Sequence, residues 1–104
     1  MNKRIRKKQL KKTETYVNPK ETWNLDITFA KFVLPRMRAF RRYVKGYPDF
    51  AFSSMDEWYE AIDKMIAAFQ LIADGKRFEF MPEEYKVMDE GLDLFREYYF
   101  NLWW

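Results

Sequence analysis

Between Asn24 and Lys45 the apolar residues Ala30, Val33, Leu34, Met37, Phe40 and Val44 recur at the spacing of one helix face. The pattern predicts a first helix that starts near Asn24 or Asp26, both good N-cap types. It should end near Lys45, with Gly46 as the stop and Pro48 just beyond. Pro35 falls inside this span. It deletes one backbone hydrogen bond and crowds the carbonyl four residues earlier. A kink near Lys31–Pro35, or two abutting helices, is therefore expected. Phe32 and Tyr43 fall off the main apolar face, near Arg36. A helix that is apolar on more than one side meets more than one neighbour. The stretch Trp23–Pro48 is thus expected to be the element on which the rest of the chain packs.

The second helix has the clearest start. Ser54 followed by Glu57 matches a capping box, and Asp56 suits the first turn. Trp58, Ile62, Met65, Ile66, Phe69 and Ile72 mark its buried face, and Gly75 its stop. Its outer face is acidic, with Asp56, Glu57, Glu60 and Asp63. Pro82 is placed as the first residue of a third helix, with Glu83 and Glu84 in the positive first turn. Tyr85, Met88, Leu92, Phe95, Tyr99 and Leu102 mark its apolar side. Gly91 costs about 1 kcal/mol relative to alanine in a helix interior, so another helix should approach closely there. The connector before this helix, residues 76–81, reads as extended, with Phe78 and Phe80 facing one way.

The connections follow. Residues 13–22 read as a linker with a turn at Asn18-Pro19. The loop 47–53 is aromatic, with Tyr47, Phe50 and Phe52, and is expected to pack on the bundle. The predicted fold is all-α, a small bundle of three main helices over residues 16–104. A basic disordered tail occupies residues 1–15, since seven Lys/Arg within residues 1–12 repel one another and accompany little apolar surface.

Composition removes much chemistry. The chain has no cysteine and no histidine, so thiolate nucleophiles, imidazole bases and the usual zinc ligands are absent. A metal site could use only oxygen ligands, and none is predicted. No cofactor is predicted either, because the three glycines are isolated and form no phosphate loop. No apolar run approaches the roughly 18 residues that span a bilayer, and no apolar segment follows the basic N-terminus as in a secretory signal. The chain is read as non-enzymatic, cytoplasmic and without a membrane partner.

Charge changes the picture further. Residues 1–45 hold 14 Lys/Arg against Glu14, Glu21 and Asp26, a net +11, whereas residues 46–104 carry −8. The two halves can attract each other within the fold or across subunits. Lys31, Arg36, Arg38, Arg41, Arg42 and Lys45 fall in fifteen residues without an acid. Arginine grips phosphate oxygens in pairs, and aromatic rings stack on bases. Arg36, Arg38, Arg41 and Arg42 are therefore candidate phosphate ligands, with Tyr43 or Trp23 as the stacking partner. The bland alternative pairs these arginines with the acidic faces of the second and third helices. Arg41 falls near the middle of the otherwise apolar face and must be paired or line a cavity. Trp23, Asn24 and Asp26 also admit a bland reading, a tryptophan staple beside an N-cap.

Trp23-Asn24-Leu25-Asp26, Leu34-Pro35-Arg36, Asp63-Lys64-Met65-Ile66 with Phe69, Gly91-Leu92-Asp93-Leu94-Phe95 and Leu102-Trp103 resemble a group of small, largely uncharacterised proteins of tailed bacteriophages. The resemblance covers roughly residues 22–104. It implies a protein made in an infected bacterial cytoplasm that counters host defence, and it carries no assigned site residues.

Three functions are therefore expected in turn. The first is capture of an anionic nucleotide signal without conversion. The second is inhibition of a host or defence protein by direct docking through the aromatic C-terminus, Tyr98-Tyr99-Phe100-Asn101-Leu102-Trp103-Trp104. The third is nonspecific nucleic-acid binding by the basic tail. The surplus aromatic surface also predicts a homo-oligomer.

Overall fold

A computed structural model describes residues 16–75 and 79–104. The predicted basic tail, residues 1–15, and Phe78 of the connector lie outside the described residues. The fold is all-α. A 3-10 turn at Pro19–Thr22 leads into α1 (Leu25–Tyr43), followed by α2 (Met55–Ala73) and α3 (Pro82–Glu97), and a last 3-10 turn covers Tyr99–Asn101. Asn18 caps the first turn by accepting from the Lys20 amide at 3.0 Å, as the Asn-Pro pair predicts.

The organising element is α2, not α1. Both α1 and α3 pack along α2, and their backbones do not meet each other. The expectation that the Trp23–Pro48 stretch forms the hub fails for a reason visible in burial. Trp58, Ile62 and Met65 of α2 are fully enclosed, whereas no large side chain of α1 is. Ile62 and Met65 each contribute about 1.5–3 kcal/mol by leaving water. Trp58 is boxed by Phe52 at 5.2 Å and Tyr98 at 5.8 Å between ring centroids. Its indole Nε1 finds no nitrogen or oxygen acceptor among the described residues.

Gly91 explains how α3 comes so near α2. A Cβ there would lie 2.5 Å from the Ala68 Cβ and would collide with the Lys64 carbonyl oxygen. Only glycine permits this approach.

The helix ends follow local chemistry. Ser54 caps α2 by accepting from the Glu57 amide at 3.3 Å. The return half of the box is shifted by one residue. Glu57 accepts from the Ser53 amide at 2.7 Å and the Ser53 hydroxyl at 2.9 Å, and these bonds pull its carboxyl below the ordinary value. Gly75, at φ 74°, closes α2 in the left-handed conformation. At α3, Pro82 is the first residue and the Met81 amide donates to Glu84 at 2.9 Å.

Three expectations need correction. α1 stops at Tyr43, two residues early, because Val44 turns extended and is buried in the core. Gly46 is therefore not its left-handed stop. Of the two outcomes expected at Pro35, only the second, two abutting helices, is overturned; α1 runs on through it as one helix. The carbonyl it orphans belongs to Lys31, an exposed residue that water can serve. In the loop before α2, only Phe52 packs on the bundle, while Phe50 is 76% exposed.

Candidate functional site

The basic residues of α1 do not converge. At about 100° per residue, Arg36 projects from one flank, Arg38 and Arg41 from the other, and Arg42 from the outer strip. Arg36 folds back along its own helix. Its Nη1 donates to the Phe32 carbonyl at 2.8 Å and its guanidinium lies 3.7 Å from the centre of the Phe32 ring. Arg38 Nη2 donates to Gln70 Oε1 at 2.5 Å, and Gln70 in turn donates to Asp74 at 2.9 Å. Arg41 forms a two-pronged pair with Asp63, at 2.5 Å from Nε and 3.2 Å from Nη2, above the Tyr59 ring. The Asp63 hydrogen bond raises the Arg41 pKa further. Arg38 and Arg41 thus clamp α1 to α2; Arg41 does so on an acid, the bland alternative, and Arg38 on the neutral Gln70 amide. No ion pair joins α1 to α3 among the described residues.

Trp23 is also separated from the rest. It ends the first 3-10 turn and is 86% exposed, so it is no staple. Twenty residues of helix rise separate it from Tyr43, about 30 Å. Trp23 and Tyr43 cannot stack on one small ligand.

What the fold does assemble is a cleft at the C-terminal end of α1. Lys45, Gly46, Tyr47, Pro48, Asn101, Trp103 and Trp104 enclose about 340 Å³. Tyr43 does not line the cleft itself but is stacked on Trp104, which does, with ring centroids 6.2 Å apart and planes 23° from parallel. The Lys45 ammonium lies 5.2 Å from the centre of the Trp104 ring, within the range of a cation–π contact. The early end of α1 at Tyr43 makes this possible, because the extended Val44 swings Lys45 and Gly46 out beside the chain end. Tyr43 is the one predicted site residue at this place. Asn101, Trp103 and Trp104 are not ligand candidates in the sequence, since they lie 53 residues and more beyond the Lys45–Pro48 segment.

The cleft can hold a flat ring against Trp104 and an anionic group against Lys45. Asn101 adds an amide, which both donates and accepts. Among the described residues, no carboxylate side chain lines it. The other carboxylates and amines of note are used structurally, as in the Lys64–Glu90 pair at 2.7 Å, whose hydrogen bond raises the Lys64 pKa. No group of three or more metal-ligating side chains occurs among the described residues, and no described helix is long and apolar enough to cross a membrane. No family model, curated protein or solved structure matches the chain.

Proposed function

We propose that this chain is a non-enzymatic binding protein that captures an anionic nucleotide, with the base stacked at Trp104 and the phosphate at Lys45. The observation that carries the reading is the Tyr43–Trp104–Lys45 arrangement. It combines a stacked aromatic pair with a cation over the Trp104 ring, in a cleft at the lower end of the small-ligand size range. Arg42 does not line the cleft; with no ion pair among the described residues, it is the arginine of α1 left to add a second phosphate contact from outside the lining. Arg38 and Arg41 are spent on α2, and Arg36 on Phe32, so none of the three belongs to the ligand set. In the bacteriophage setting that the sequence resembles, such capture withholds a nucleotide signal from host defence.

A titration with mono- and cyclic nucleotides, followed by quenching of tryptophan fluorescence, tests the reading. Saturable quenching is expected, and Trp104→Ala should weaken binding roughly 5- to 150-fold, the equivalent of about 1–3 kcal/mol per stacked base. Equal affinity in Trp104→Ala and the parent would overturn it. The competing reading, docking on another protein, leaves this cleft without a ligand and predicts no quenching at all.

A further inference from the structure

The cleft at the end of α1 limits which part of a nucleotide it can read. Its lining carries one cation, the Lys45 ammonium, and no acid among the described residues. The other polar side chains there are neutral. The Tyr47 hydroxyl is engaged by the Ser53 carbonyl at 3.4 Å, which leaves the Asn101 amide and the indole N–H groups of Trp103 and Trp104. The arginines of α1 bring no second cation into the lining. Arg38 and Arg41 are held by Gln70 and Asp63, and Arg36 by the Phe32 carbonyl. Arg42 stands outside the lining and adds its contact to the same phosphate as Lys45.

A polyphosphate chain asks for more than this. Proteins that grip one use several convergent donors, or a magnesium ion held by carboxylates. The lining offers neither, and no group of three or more metal-ligating side chains occurs among the described residues. Position narrows the choice again. The Lys45 ammonium lies 5.2 Å from the centre of the Trp104 ring. A base stacked on that ring has the cation close beside it, where the first phosphate hangs from the sugar. Second and third phosphates lead away from the base and into water. The cleft, at about 340 Å³, falls at the lower end of the range for small-ligand sites, room for one nucleotide unit rather than two. We infer that the cleft recognises a single nucleotide unit by its base and its first phosphate, and is indifferent to further phosphates or to a second linked nucleotide. This inference rests on the nucleotide reading above and names the class of ligand within it: a nucleoside monophosphate, open or cyclic.

Calorimetric titration of the full chain without magnesium tests it, with the nucleoside and its mono-, di- and triphosphate in the adenine and guanine series. Affinity should rise about tenfold from nucleoside to monophosphate, the scale of one hydrogen bond to a charged group. It should then stay level within about threefold through the di- and triphosphate, whose added charges remain solvated and screened. In Lys45→Ala the ratio of monophosphate to nucleoside affinity should fall to about one, and Lys45→Arg should keep the step, since either cation meets a phosphate oxygen. The cyclic monophosphate, run beside the open one, should show the same step, and the tighter of the two identifies the form preferred. Affinity that climbs with each added phosphate, or a step that survives in Lys45→Ala, would overturn the inference and leave nucleotide capture standing. A series in which nothing binds, the monophosphates included, would overturn capture itself and the inference with it.

Discussion

The Arg41 guanidinium grips the Asp63 carboxylate with two nitrogens, at 2.5 and 3.2 Å, and so fixes the register of α1 on α2. Both side chains stay well exposed, at 40% and 52%, so solvent screens the pair. A double-mutant cycle with Arg41→Ala and Asp63→Ala should give a coupling of about 0.5–1 kcal/mol, at the upper end for exposed pairs because the geometry is bidentate. Arg41→Ala should cost more than Asp63→Ala, since it also removes the contact with the Tyr59 ring. Urea denaturation of the four proteins measures this, and zero coupling would contradict the register role.

Gly91→Ala separates helix propensity from packing. Propensity alone predicts a gain of about 1 kcal/mol. The collision with the Lys64 carbonyl and Ala68 predicts a loss instead, of about 1–3 kcal/mol or more, because backbone must shift. A lowered melting temperature supports the close α2–α3 approach; an unchanged or raised one speaks against it.

Glu57 gives the acid dependence. Its carboxyl is held below the ordinary 4.5 by the Ser53 amide and hydroxyl. Its folded pKa is thus the lower one. The group stabilises the fold above its unfolded pKa, and this contribution is lost as pH falls through the folded value. The gap in melting temperature between the parent and Glu57→Gln should be level at neutral pH and should close below the ordinary carboxylate range. A gap that widens on acidification has the wrong sign for this account.

Much of this architecture is legible in the sequence, and the exceptions have physical causes. The α2 pattern from Trp58 to Ile72, the Ser54 cap, the Gly75 stop, the Pro82 start and the tight approach at Gly91 all follow from local rules, and the structure has each of them. The end of α1 does not, because Val44 is withdrawn from the helix by burial in the core, which helical spacing alone cannot express. The site is read less well. The run Arg36, Arg38, Arg41, Arg42 looks like one patch along the chain, yet helical rotation spreads it over three strips. The partners that absorb Arg38 and Arg41 lie on another helix. Trp103 and Trp104 meet Tyr43 and Lys45 only through the fold, and no spacing rule links them.

Within the cleft, charge and stacking should act separately. Lys45→Ala should weaken nucleotide binding and flatten its salt dependence, since it removes the ammonium beside Trp104. Arg38→Ala should leave affinity unchanged, because its guanidinium is engaged by Gln70. Calorimetric titration at two salt concentrations reads both effects. Equal losses in the two variants would return the phosphate site to the arginines of α1.

The most direct test of nucleotide capture is a native mass spectrum of the full chain, alone and then with a panel of mono- and cyclic nucleotides, beside Trp104→Ala. The account predicts unconverted nucleotide retained at a fixed stoichiometry by the parent and lost from the variant. Spectra with no adduct on the parent, or the same adducts on both proteins, would contradict it.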